Sequence, residues 1–459
     1  MPETRHYRVH AGFAGERAGA AALTWGQRGM WNAISRNPPG HFNIPMVLAL
    51  PRRPSPTVER VVVSIGELVG RHEALRTQIV AVAGEPAQQV ARAGRLPVEV
   101  TETGSAEAVT GIVAEVRDRL SAAAFQYPTD WPLRVGLVAV DGEVRQAVLV
   151  FCHTATDWQG AEVVATQLRV LLRGATPAAP VLQPLDMAHW QATSGKDRTR
   201  RAVDYWTDSF RSIPPTMFTA DGPAHEPSHH QVMLTSRALD GATRVIAARQ
   251  RVSTTTVLLA ATVALVGSWT GNSICALHTL VNNRFQAGHS DVVGMLAQLA
   301  LLTVDMTGGL TFEELVTRTW QAALRGHRHA YYDQAALDAA LAGVRRELAT
   351  EVNPYCCFND MRSTQDTVAG DPALLPGEEA IRGALSESVL TLAPHAPLNC
   401  RFCLRVEPAT GPLSVVLTAD SRSLSSVQIG QFLRDLERLV VDAAFGEVRL
   451  AALPGRGRR

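Results

Sequence analysis

The sequence predicts an α/β protein of two lobes, and three observations carry that prediction. Apolar runs of strand character alternate with apolar stripes of helical period along nearly the whole chain. A Pro- and Ala-rich stretch at 173–184 interrupts them and reads as a linker. A second set of strand and helix patterns follows. The 459 residues suffice for two or three domains, and with 46% hydrophobic residues the chain can bury a large core. The expected division is a flexible N-terminus at 1–20, an N-terminal lobe at 21–180, a C-terminal lobe at 181–450 and a disordered tail at 451–459.

Taken in order, the Gly/Ala/Arg-rich residues 1–20 read as loosely held. Residues 23–31 read as a cap and helix start, and 41–50 as a strand. Apolar residues at 58, 61, 62, 65, 68 and 69 make a helical stripe. A strand at 77–82 turns through Ala-Gly-Glu-Pro toward 88–90. A helix over 107–120 precedes a hairpin, 132–140 and 144–151, joined by Asp141-Gly142. Beyond the linker, 201–210 reads as a surface helix and 213–230 as a Pro-, His- and Ser-rich loop. The second lobe then offers helices at 236–250 and 255–268 and a strand at 274–280. A long helix follows from Thr311. Strands at 354–360, 400–406 and 413–419 and a helix at 425–444 complete it.

Composition excludes several functions. A net charge of +1 argues against nucleic-acid or membrane-surface binding. The most apolar stretch, Val257 to Val266, is shorter than the roughly 20 residues a membrane span needs. The N-terminus lacks an apolar signal core, so a cytoplasmic location is expected. The six cysteines are scattered, and Cys400 and Cys403 form one C-x-x-C without a second pair at zinc spacing. They read as packing, and no metal site is expected. Lys196 is the only lysine and lies in a polar stretch, which argues against Schiff-base chemistry.

The chemistry concentrates in residues 148–160. Val148 to Phe151 read as a buried strand that delivers Cys152 and His153 into a polar turn. Asp157 follows four residues after the histidine and can cap a helix from about Trp158 to Leu172. An imidazole leaving a rigid strand end, with a carboxylate behind it, suits a general base. Cys152 reads as a small buried residue rather than a nucleophile. His329 and Asp333 share the same spacing, but they end a polar helix that no strand feeds, and read as solvated. His229-His230 sits in the Pro/Ser-rich loop without a following aspartate.

These segments together resemble the condensation-domain family of nonribosomal peptide synthetases, within the chloramphenicol-acetyltransferase-like superfamily. Arg71-His72-Glu73-Ala74-Leu75-Arg76-Thr77 is similar to its R-H-E-x-L-R-T motif, and this is the most specific match. Leu23-Thr24-Trp25-Gly26-Gln27 resembles its opening motif, Tyr205-Trp206 its Y-W, Asn283-Arg284 its N-R and Val293-Gly294-Met295 its I-G-M element. Residues 152–158 lie where its active-site H-H-x-x-x-D-G belongs. The sequence departs from the family pattern in four places: Cys152 replaces the first histidine, Trp158 the glycine, Gln298 the asparagine of G-M-F-V-N, and the P-F expected after the long helix is missing around Tyr331-Tyr332-Asp333.

The resemblance implies two acetyltransferase-like lobes in a V-shaped pseudo-dimer with a central channel. It implies a free-standing condensation enzyme of natural-product biosynthesis. Such an enzyme joins an acyl or aminoacyl thioester to an amine or hydroxyl on a small-molecule acceptor. The donor rides on the phosphopantetheine arm of an acyl or peptidyl carrier protein, and no intrinsic cofactor is expected. His153 is then the catalytic residue. Asp157 and Arg76 form the ion pair that fixes its turn, and Cys152, Trp158, Arg284 and Gln298 line the channel. An indole at 158 would narrow, reshape or block it. Two alternatives stand beside this reading: a small-molecule acyltransferase using coenzyme A, and a catalytically silent recruitment domain of the same fold.

Overall fold

The hairpin that leads to His153 forms as its apolar runs and Asp141-Gly142 turn predict, and it lies inside a larger sheet. The computed structural model describes residues 4–38, 40–51, 55–222, 226–286, 288–363, 365–395, 399–408 and 411–455. The chain divides into two units. One holds residues 1–199, 282–298 and 332–335, and the other holds 200–281, 299–331 and 336–459.

The first unit contains β1 (Thr4–Ala14), β2 (Gly19–Ala22), β3 (Ile44–Ala49), β4 (Thr77–Val82), β5 (Glu85–Val90), β6 (Ala93–Thr103), β7 (Leu133–Val140) and β8 (Glu143–Phe151). Its helices are α1 (Trp25–Ile34), α2 (Val58–Arg71), α3 (Val109–Ala122), α4 (Trp158–Leu172) and α5 (Pro184–Thr193). Five strands form one sheet in the order β1-β6-β7-β8-β3, and β2-β5-β4 form a small second one. Alternation along β8 decides the two faces. Ala147, Leu149 and Phe151 join the core under α2 and α4, whereas Val148, Val150 and Cys152 join the cluster under α3. The α2 stripe is buried through Val61, Ile65, Leu68 and Val69, and Thr57 caps it by accepting from Arg60 N. Gly66 and Gly70 let α2 lie against the β1 backbone, where any Cβ would meet a carbonyl of Gly12 or Ala14.

The second unit contains most of α6 (Lys196–Ser212), then β9 (His229–Ser236), α7 (Arg237–Gln250), α8 (Thr254–Thr270), β10 (Ile274–Val281), most of β11 (Gln298–Asp305), α9 (Phe312–Arg328), α10 (Gln334–Leu348), β12 (Cys356–Asp360), α11 (Glu378–Gly383), β13 (Val389–His395), β14 (Phe402–Val406), β15 (Leu413–Asp420) and α12 (Ser426–Phe445). Its seven-stranded sheet runs β11-β10-β12-β14-β15-β9-β13. Helix α8 is buried along almost its whole length, which explains the apolar stretch at 257–266 as core. Among the described residues no single helix is long and apolar enough to cross a membrane.

Several expectations need correction. Residues 4–14 are not loose: β1 pairs with β6 from Thr4↔Thr103 to Ala14↔Ala93. Its Tyr7, Val9, Ala11 and Phe13 alternate into the core, a period-2 signal interleaved with Arg8, His10 and Gly12. The first unit runs on through Thr199, past the Pro-rich stretch at 173–184, and α5 packs on β2 and the short turn Glu73–Arg76. Trp206 and Phe210 bury the apolar side of α6, which is not a bare surface helix. His229 opens β9 instead of lying in a loop, and His329 stacks on Tyr205 at 4.6 Å rather than facing solvent. Residues 450–452 form a 3-10 turn, and 456–459 lie outside the described residues. Cys403 is bonded to Cys357, its partner across β12 and β14, so these two are not simple packing thiols.

Candidate active site

Strand β8 ends at Phe151, and the backbone then turns back. Cys152 N donates to Pro132 O, and Ala155 N to Cys152 O. The turn leaves His153 half-buried. Its Nδ1 lies 3.0 Å from Thr156 O. A carbonyl only accepts, so Nδ1 carries the proton and Nε2 bears the lone pair in the neutral ring. Among the described residues Nε2 has no hydrogen-bond partner. Burial lowers the pKa below the ordinary imidazole value, and the Asp157 charge, the second cause, pulls the other way. The lowered pKa favours the neutral ring.

Asp157 is 4% exposed and caps α4. Oδ1 accepts from Gly160 N at 2.9 Å and from Arg284 Nη2, and Oδ2 accepts from Leu296 N at 3.1 Å and Ala297 N at 3.2 Å. Arg284 also donates to Val292 O at 2.6 Å and His289 O at 3.3 Å. The carboxylate thus ties the helix start to segment 282–298. The close approach that demands glycine is at Gly160, where a Cβ would collide with Thr156 Oγ1, and not at Trp158.

This overturns the expected pairing of Asp157 with Arg76. Arg76 is buried and donates to the carbonyls of Gly70, Arg17 and Ala91. The whole motif around it is a structural hub. Glu73 accepts from Arg17 at 2.8 Å and from Leu185 N at 3.2 Å. His72 Nε2 meets Gln167 Oε1 at 2.8 Å, and Arg71 donates to the carbonyls of Pro177 and Ala178. These bonds fasten the 173–186 stretch to α2, so the most specific sequence match serves construction rather than chemistry. A 560 Å³ cavity lined by Arg17, Arg71, Glu73, Arg76 and Asp186 lies in the same unit, and His153 is not among its walls.

The other expected channel residues each have their own partners. Arg284 is consumed by the Asp157 pair. Gln298 is 4% exposed and grips Tyr332 from both sides of its peptide, Nε2 donating to Tyr332 O at 2.9 Å and Oε1 accepting from Tyr332 N at 3.3 Å. Cys152 packs under α3 with Sγ 3.1 Å from Thr154 Oγ1, and burial pushes its thiol pKa up. Trp158 is 36% exposed, its Nε1 donating to Glu162 Oε1 at 3.1 Å. The ring that meets His153 is instead Phe42, edge-on with centroids 6.3 Å apart. Sequence reading passed over Phe42 and the Thr156 carbonyl. The first was legible only through the β3–β8 register, in which Ile44 faces Phe151.

The family model described as condensation domain matches residues 17–369. Phosphinothricin tripeptide synthetase PhsC of Streptomyces viridochromogenes is 28% identical over 326 residues, which are 67% of this chain and 29% of the synthetase. The chain therefore spans under a third of that relative. The condensation domain that mediates chain release from the enacyloxin polyketide synthase superposes with a TM-score of 0.74 at 17% identity, covering 97% of this chain and 85% of that one. The X-domain from teicoplanin biosynthesis, solved in complex with OxyB, gives 0.66 at 16% identity over 96% and 97%. These likenesses show the fold: mixed α/β, with two chloramphenicol-acetyltransferase-like lobes.

Proposed function

The chain belongs to the condensation-domain family, and from that premise we propose that it joins a carrier-bound acyl or aminoacyl thioester to an amine or hydroxyl acceptor, in the cytoplasm. The donor arrives on the phosphopantetheine arm of an acyl or peptidyl carrier protein. A thioester is already activated, so the reaction asks for placement of two ends and one group to handle a proton. His153 supplies that group. Its Nε2 takes the proton of the acceptor as the new C–N or C–O bond forms. The imidazolium then returns that proton to the departing thiolate sulfur as the C–S bond breaks. Asp157 and Arg284 act from behind by holding the turn.

The observation that supports this most is the Thr156 carbonyl on Nδ1, which fixes the tautomer a base requires. The test is mass-spectrometric detection of the condensed product from loaded carrier protein and an amine acceptor. The reading expects product with carrier-bound donor and a loss of at least 100-fold in His153→Ala. Equal turnover with a coenzyme A thioester would favour the small-molecule acyltransferase. Binding of a second enzyme without any turnover would favour recruitment. Cys152 and Trp158 at motif positions support that second reading, as does the teicoplanin X-domain, solved in complex with OxyB.

A further inference from the structure

We propose that Phe42 is a positioning residue for His153, its ring packed edge-on against the imidazole that Thr156 O anchors at Nδ1. The inference rests on the reading of His153 as the reacting base, and it adds a residue that no motif of the chain marks.

Three features place the ring. Strand β3 runs antiparallel to β8 with Ile44 opposite Phe151. Two residues further out on each strand stand Phe42 and His153, and the rings meet edge to face with an interplanar angle of 69°. The segment that carries Phe42 is itself pinned. Gly40 turns at φ +76 against the carbonyl of Ala122, and Asn43 N donates to Gly40 O at 3.0 Å. Asn43 Nδ2 then donates to Ser121 O and Ala123 O, both at 2.8 Å, at the C-terminal end of α3. A phenyl ring on so anchored a segment is not a mobile surface group. It is built from the scaffold outward, as a supporting residue must be.

The consequence for His153 follows from elementary electrostatics. One hydrogen bond, from Nδ1 to Thr156 O, leaves rotation about that contact open. The Phe42 ring, in edge contact with the imidazole, restricts that rotation. Burial is the main cause of the lowered pKa of His153, and an apolar neighbour contributes to it. Among the described residues, the charged and titratable groups facing the pair include Asp157, matched by Arg284 from segment 282–298, and His41, whose ring lies 4.7 Å from Phe42.

The experiment measures the pH dependence of His153 acylation by diethylpyrocarbonate, read by peptide mass spectrometry, which needs no substrate. Phe42→Ala should move the midpoint upward toward the ordinary imidazole value and lower kcat about tenfold with KM within threefold. Phe42→Tyr should restore both. Phe42→Leu, which keeps bulk without the ring, covers the case in which Phe42→Ala does not fold, and should fall between. An unchanged midpoint in a folded Phe42→Ala or Phe42→Leu protein overturns the inference, even if His153→Ala abolishes turnover. A shifted midpoint in a protein with no condensation activity keeps Phe42 as the positioning residue and removes the proposed reaction instead.

Discussion

Asp157 pairs with Arg284, 127 residues away along the chain, and the two side chains are 5% and 4% exposed. The carboxylate makes three further bonds to backbone N–H groups at the start of α4 and in segment 282–298. A buried pair so fully bonded fixes geometry more than it adds net stability. Its removal from one side is a different matter, because the survivor stays buried.

Arg284→Met should therefore destabilise the protein by about 3–5 kcal/mol, measured by urea unfolding. In a double-mutant cycle with Asp157→Asn, the coupling energy should exceed about 1 kcal/mol. The same cycle with Arg76→Met should give coupling below about 0.5 kcal/mol, as expected for groups that share no partner. Strong coupling of Asp157 to Arg76 would reverse the assignment.

Condensation activity should depend on the neutral form of His153. Burial lowers its pKa, so the acid limb of kcat/KM should lie below the ordinary imidazole value near 6.5. Activity is full above that limb and falls as pH drops through it. A limb at or above pH 7 would show that the ring is charged at rest.

His72 makes a second pH prediction, on stability. It is fully buried, and burial pushes its pKa down to about 4 despite the bond to Gln167. The unfolded chain binds the proton more readily, so the contribution is complete above about 6.5 and is lost as pH falls toward 4. The loss amounts to roughly 3 kcal/mol at pH 4. His72→Gln should flatten the stability profile between pH 6.5 and 4 by a comparable amount. An unchanged slope would mean that other groups carry the acid sensitivity.

Cys152 should resist alkylation in the folded protein, because burial raises its pKa and the thiol lies under α3. Cys152→Ala should retain turnover within about threefold and lose about 1 kcal/mol of stability with the small void and the contact to Thr154. Rapid labelling by iodoacetamide at pH 7.5, or abolished turnover, would contradict this.

Much of the fold was legible because local physics repeats at readable intervals. The α2 stripe, the Asp141-Gly142 turn, where both residues have positive φ, and the caps Thr57, Thr311 and Ser425 each declare themselves within a few residues. The strand β1 escapes sequence reading because the Gly/Ala/Arg-rich composition of 1–20 outweighs the alternation of Tyr7, Val9, Ala11 and Phe13 with Arg8, His10 and Gly12. The helix α10 escaped notice because its apolar positions, Leu337, Leu341 and Val344, are few among alanines.

The sequence by itself determined the strand, the turn and the capped helix that carry His153 and Asp157, and the ordered motifs that mark the family. Tertiary structure alone decided which guanidinium meets Asp157. Arg76 and Arg284 are chemically identical, and each stands in a motif of the family. Charge pairing depends on distance in space, and the chain between two residues does not set that distance. The same holds for Phe42 beside His153 and for Cys357 beside Cys403. Strand register puts each pair together, and register is settled by packing of the whole sheet rather than by any one segment.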